Sequence, residues 1–247
     1  MKKILFATAF AAAALASAPA FAQSVGYLGL SYAHSEVEIL SVEADGEAVA
    51  FEGSVTAPVT ETISLSFNGS VAEVEDETIG SGTIHLSDRL ESGLIGGFAG
   101  VTQVADESLW AIGMEGEAYL SNVTLAATVA FASSDNLDAD FRLYNAEARL
   151  FANDNLRFDG GLGYADGEVA GVDLSGWSAG FGGEYQFTGH PVSIVGGYTR
   201  STVEDLDLTA DTVSVGIRWT FGGSLRDRDA AAGGLNGIGD LVGGLIF

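Results

Sequence analysis

The sequence predicts an all-β fold: one antiparallel up-and-down transmembrane barrel of about twelve strands, preceded by a cleaved signal peptide. Three observations carry this expectation. Apolar residues recur with period 2 in segments of about ten residues along most of the chain. The opposite parity of those segments is filled by Ser, Thr, Gly and Ala rather than by Lys and Glu, which suits a crowded interior better than a water-exposed sheet face. The connections alternate between tight turns and longer acidic stretches.

Composition narrows the function classes before any element is placed. The 247 residues are 47% hydrophobic and 18% charged, so apolar surface is abundant for a chain of net charge −24. Ten Lys and Arg against 34 Asp and Glu exclude a nucleic-acid binder, which needs clustered positive charge to neutralise phosphates. The absence of Cys excludes disulfide frameworks, thiolate zinc sites and cysteine nucleophiles.

The elements follow in order. Residues 1–22 read as a signal peptide, with Lys2 and Lys3 as basic region, Ile4 to Leu15 as apolar region and Ala20-Phe21-Ala22 as cleavage site. The mature chain then starts at Gln23. No later apolar run approaches the roughly 20 residues of a membrane helix. Strands are expected over 24–34, 47–58, 62–73, 79–88, 93–104, 109–120, 123–132, 140–152, 155–165, 173–187, 191–200 and 211–221. The alternation is clearest in the last, where Val213, Val215, Ile217, Trp219 and Phe221 oppose Thr212, Ser214, Gly216, Arg218 and Thr220. It recurs in 123–131, where Val123, Leu125, Val129 and Phe131 oppose Thr124, Ala126, Thr128 and Ala130.

Tight turns are expected at Pro58–Thr62, Ser121-Asn122, Asn153-Asp154 and Thr188–Pro191. Long loops are expected at Ser35–Gly46, Glu73–Thr78, Gln103–Ser108, Ser133–Asp138, Asp166–Val172 and Ser201–Ala210. Counted out to the flanking acids at 47, 140, 173 and 211, these six stretches hold 21 of the 34 acids and no base. Aromatics near strand ends, among them Trp110, Tyr119, Phe131, Tyr144, Phe151, Phe158, Tyr164, Trp177, Tyr198 and Trp219, read as interfacial girdles. A soluble β-sandwich would alternate in the same way with its apolar face inward, and the small-residue polar parity weighs against it.

The last strand, Ser214-Val-Gly216-Ile-Arg-Trp219-Thr-Phe221, resembles the assembly signal of the porin-like outer-membrane β-barrels of Gram-negative bacteria. Its pattern is polar residue, any, Gly, any two, aromatic, any, aromatic. The resemblance covers the barrel, 23–223, as architecture. It implies location in the bacterial outer membrane, contact with outer-membrane lipid, and insertion by the barrel-assembly machinery reading Ser214, Gly216, Trp219 and Phe221. The chain departs from the pattern by continuing past the aromatic. This Gly-rich extension, 224–247, reads either as a flexible periplasmic tail or as a segment folding back to plug the lumen.

Turning the apolar parity outward places Glu52, Glu115, Glu117, Glu147, Arg149, Arg157, Asp159, Glu184 and Arg218 in the lumen, with His85, Asn145 and Gln186 beside them. Glu147 and Arg149 next to Arg157 and Asp159 suggest a cross-strand network. The expected function is passive diffusion of small hydrophilic solutes with modest cation preference, since acids outnumber arginines in that set. The alternative is a non-conducting barrel, structural or acting through its acidic loops, with luminal charges that merely pair. No enzyme, cofactor or metal site is expected. Only His34 with Asp45 approaches a catalytic arrangement, and Asp135, Asp138 and Asp140 lack the spacing of a calcium loop.

Overall fold

The computed structural model describes residues 24–74, 77–104 and 107–231, so the signal peptide and residues 232–247 lie outside the described residues. Twelve strands run in sequence order: β1 (Val25–Ile39), β2 (Val42–Pro58), β3 (Ile63–Val74), β4 (Glu77–Leu90), β5 (Gly93–Val104), β6 (Glu107–Tyr119), β7 (Val123–Ser134), β8 (Ala139–Asn153), β9 (Leu156–Val169), β10 (Val172–Gln186), β11 (Val192–Val203) and β12 (Leu208–Phe221). Each pairs antiparallel with its sequence neighbours, and β1 pairs with β12, so the sheet closes into a barrel. Closure removes the unpaired edge that hydrocarbon would penalise. All twelve expected strands are present.

Gly26 faces Phe221 across the closing seam, so the first and last strands meet at one end of the barrel, here termed the near end. Outward positions over most of each strand carry large apolar residues: Leu28, Leu30 and Tyr32 on β1, Trp110, Ile112 and Met114 on β6, and Val213, Val215, Ile217 and Trp219 on β12 are all exposed. Ten residues at about 3.3 Å each, tilted about 40°, cover the roughly 25 Å apolar band of a membrane barrel. Trp110, Tyr144, Tyr164 and Trp177 rim that band on one side, with Phe158, Tyr185 and Trp219 on the other. Tyr119 and Phe151, expected in the girdles, point inward instead. The Tyr119 hydroxyl donates to Glu117, and Phe151 is buried at a register shift between Phe151 and Asn153.

The long acidic loops expected at the far end are not loops. The strands continue into them, reaching 15 residues in β1 and 17 in β2, and the connections among the described residues are short. Leu40 and Ser41, with φ of 50° and 68°, form a two-residue hairpin, as do Ala170 and Gly171 at 50° and 82°. Only a short 3₁₀ turn, Glu204–Leu206, separates β11 from β12. Composition hides this because acids are depleted in ordinary strands, and because the two faces exchange character on the way up. On β1, outward Leu28, Leu30 and Tyr32 give way to His34, Glu36 and Glu38, while inward Gly29 and Ser31 give way to Val37 and Ile39. On β8 the outward face passes from Leu150 to Arg142 and Asp140, and the inward face from Arg149 to Leu143 and Phe141. Below this switch the barrel is apolar outside and polar inside. Above it, the barrel is acidic outside and apolar inside, as a sheet standing in water should be.

Beyond β12 a short helix, α1 (Leu225–Ala231), begins. Ser224 and Asp227 cap it reciprocally. The Asp227 carboxylate accepts from the Ser224 amide at 3.0 Å and hydroxyl at 2.7 Å, and the Asp227 amide donates to the Ser224 hydroxyl at 3.2 Å.

Candidate pore lining and near-end mouth

Antiparallel register stacks the inward positions of neighbouring strands into rings, and the near-end rings carry the charge. Glu52, Glu115, Glu117, Glu147, Arg149, Arg157, Asp159, Glu184 and Arg218 all lie on the inward parity. Eight of them gather into two clusters. In the first, Arg149 donates to Glu147 at 2.9 Å, to Glu117 at 3.1 Å and to Asp229 of α1 at 2.9 Å. In the second, Glu184 accepts from Arg218 at 2.8 Å, Arg228 of α1 at 3.0 Å and Ser193 at 2.6 Å. Arg218 also donates to Glu52 at 2.8 Å and lies 4.2 Å from the centre of the Tyr27 ring. Gly29 sits between those partners in register, and a Cβ there would come within 2.8 Å of the Glu52 carboxylate. Arg157 donates to Asp159 at 3.1 Å and lies 3.9 Å from both Glu184 and Asp229.

The Glu147–Arg149 and Arg157–Asp159 pairs are joined through α1 rather than directly across the strands. Arg149 and Arg157 bind the acid two residues away on their own strands, and Asp229 of α1 lies between them. Asp229 also accepts from Thr124 at 2.8 Å, while Arg226 bonds the Ser121 carbonyl. The Gln186 amide donates to the Gly223 carbonyl at 3.2 Å. Leu225, Arg228 and Asp229 are buried. The 224–231 part of the extension is thus folded across the near-end mouth, and the inward layer there is completed by residues from outside the barrel strands.

Ion pairs this enclosed lose hydration that Coulomb attraction alone recovers poorly, so further hydrogen bonds must make up the difference. Glu184 accepts three: one oxygen takes Ser193 and Arg228, the other Arg218.

Glu115, the ninth residue, stands apart at mid-barrel. Its carboxylate receives Nδ1 of buried His85 at 3.0 Å. His85 Nε2 faces the Asn68 amide nitrogen at 3.0 Å and the Thr83 hydroxyl at 3.1 Å. The hydroxyl, imidazole and carboxylate form a string that locks the ring, and the His85 ring stacks on Phe98 with centroids 5.3 Å apart.

Of the residues reserved for assembly, Trp219 and Phe221 lie on the outward parity at the near end, and Ser214 and Gly216 on the inward parity of β12. His34, Glu36 and Asp45 come together outside the far-end rim, each offering a ligand atom within 4.8 Å of the others. Also at the far end, Asp205 accepts from the Ser175 amide and hydroxyl, and Asp211 accepts from the Tyr198 hydroxyl.

No family model matches the chain, and no curated protein matches it. Solved structures do. The NanC porin aligns with a TM-score of 0.59 at 7% identity, covering 78% of this chain and 100% of that one. The CymD monoaromatic hydrocarbon channel gives 0.54 at 10%, covering 81% and 88%. The KdgM porin gives 0.50 at 9%, covering 78% and 99%. At such identities the likeness is one of fold. Together with the closed sheet and its outward apolar band, it gives this chain the fold of the porin-like outer-membrane β-barrels.

Proposed function

We propose that the protein is a passive diffusion channel of the bacterial outer membrane for small solutes, with modest preference for cations. The near end, with the shared seam of the termini, faces the periplasm, and the acidic collar faces outward. One observation carries the reading: the charge inside the barrel is concentrated in a near-end girdle where acids exceed arginines. Glu52, Glu117, Glu147, Asp159, Glu184 and Asp229 stand there against Arg149, Arg157, Arg218 and Arg228, and Glu115 adds a further acid at mid-barrel beside His85. A ring of excess negative charge in a confined pore favours cations. Because every arginine is paired, the preference is small.

Residues 1–22 act as the export signal, and β12 is read by the barrel-assembly machinery through Ser214, Gly216, Trp219 and Phe221. No enzymatic step or cofactor is part of the mechanism. Solutes cross by diffusion, and the girdle sets which charge passes.

A second reading is favoured by α1. A helix tied to Arg149, Thr124 and Glu184 narrows the mouth where charge is densest, and a fully occluded mouth would make the barrel structural. Planar-bilayer recording of residues 23–247 in a salt gradient separates the two. Steps with a reversal potential shifted toward cations support the channel. Silence at all voltages in the full protein, lifted by removal of 224–247, supports the barrel closed by α1.

A further inference from the structure

The long β1–β2 hairpin carries a donor set that neither the girdle nor the lumen uses. Period 2 puts His34 and Glu36 next to each other on the outward face of β1, and register sets Glu36 directly opposite Asp45 of β2. One imidazole nitrogen and two carboxylate oxygens thereby come within 4.8 Å of one another. The three residues stand on paired strand rather than in a loop, and at this level β1 is held between β2 and β12.

Charge makes the arrangement costly by itself. Glu36 faces Asp45 on one side and Asp211 of β12 on the other, and like charges directly opposite each other destabilise a sheet. Other acids of the collar have partners. Asp166 pairs with Arg142 at 3.5 Å, Asp211 with Arg200 at 3.7 Å and with the Tyr198 hydroxyl, and Glu47, opposite His34, with the Tyr32 hydroxyl. Among the described residues, the side chains of His34, Glu36 and Asp45 have no hydrogen bond or ion pair. A second row of opposed acids, Asp140, Glu168 and Asp173 across β8, β9 and β10, has the same repulsion but no imidazole beside it.

The imidazole decides which cation the set suits. Calcium and magnesium take oxygen donors, whereas zinc and its neighbours in the first transition row take imidazole nitrogen together with carboxylate oxygen. Donors bound to one such ion at about 2.1 Å stand about 3–3.5 Å apart, so modest rotations of two exposed carboxylates complete the set. Three protein ligands leave the remaining positions of the ion open to solvent.

We propose that His34, Glu36 and Asp45 form a surface site for one divalent transition-metal ion of the zinc type, with water in its remaining positions. Bound there, the ion neutralises the opposed acids of β1, β2 and β12. The site lies outside the barrel wall, so the inference goes beyond the channel reading and does not depend on it.

The test is calorimetric titration with zinc of tag-free residues 23–247 refolded in detergent, with the visible absorption of cobalt as a second readout. The site predicts one zinc ion per chain, bound more tightly than calcium, and a cobalt absorption that zinc abolishes. His34→Ala should weaken zinc binding at least about tenfold, since even residues that merely orient a ligand carry effects of that size, and should leave weak calcium binding unchanged. Asp45→Asn, which keeps the shape and removes a charge, weakens zinc binding several-fold and decides the matter if His34→Ala does not fold. Glu168→Gln, in the row without an imidazole, and His190→Ala, in a near-end turn, leave zinc binding unchanged. No zinc binding, zinc and calcium bound alike, or zinc binding that survives both His34→Ala and Asp45→Asn overturns the proposal.

Discussion

At the scale of single residues, Glu184 is the most heavily used group in the barrel. Its two oxygens serve Ser193, Arg218 and Arg228, so its removal leaves the Arg228 guanidinium without a carboxylate in an enclosed layer and Arg218 with Glu52 alone. Glu184→Ala should therefore cost about 3–5 kcal/mol, the usual penalty for an uncompensated buried charge; urea titration of the protein refolded in detergent measures it. Sequence parity put Glu184 and its eight companions inside the barrel, because period 2 decides which face a strand residue occupies. It could not supply their partners, which depend on register across strands and on a segment more than thirty positions downstream. Arg228 and Asp229 were invisible for that reason, as was Asn68, which reads as one more small polar residue until register brings it to His85.

At the scale of elements, α1 had one local signal in the sequence, the Ser224-x-x-Asp227 spacing of a capping box, set in a Gly-rich stretch that otherwise reads as loose. Ser224→Ala should loosen the helix by about 1 kcal/mol, seen as faster proteolysis within 225–231. The hydroxyl and amide of Ser224 hold the Asp227 carboxyl below its ordinary value. A depressed carboxyl stabilises the native state fully above the unfolded value near 3.9, and that contribution disappears as pH falls through the lower native value. Acidification, not alkalinisation, should thus release α1, and Asp227→Asn should be released at every pH. The same protease assay run from neutral pH down to about pH 3 checks the direction; release on raising pH would contradict it. The far-end hairpins were misjudged at this scale. Their alternation was continuous, but the exchange of faces made acid-rich strands resemble loops, and turns such as Leu40-Ser41 carry none of the usual Gly or Asn.

For the whole molecule, the exchange of faces fixes where the membrane sits. Outward residues are apolar from the near end up to the aromatic rim and acidic beyond it, so the strongly negative net charge belongs mainly to a collar standing in water. Leu162→Arg, in the middle of the outward band of β9, should cost about 2–4 kcal/mol. Glu168→Arg, outward on the same strand above the rim, should cost little. Unfolding of both variants in lipid vesicles tests the boundary, and equal costs would mean that the band is not in hydrocarbon. The apolar interior of the collar has no counterpart in a parity rule applied uniformly along each strand, which is why the sequence suggested a lumen polar throughout.

The central claim is that the barrel encloses a path whose selectivity and closure reside in the near-end girdle and α1. Single-channel recording of residues 23–247 and of the same protein ending at Gly223, in one salt gradient, tests it most directly. The account predicts small cation-preferring steps in the full protein and larger steps after truncation, because α1 no longer crosses the mouth. Identical conductance in the two forms, or none in either, would contradict it.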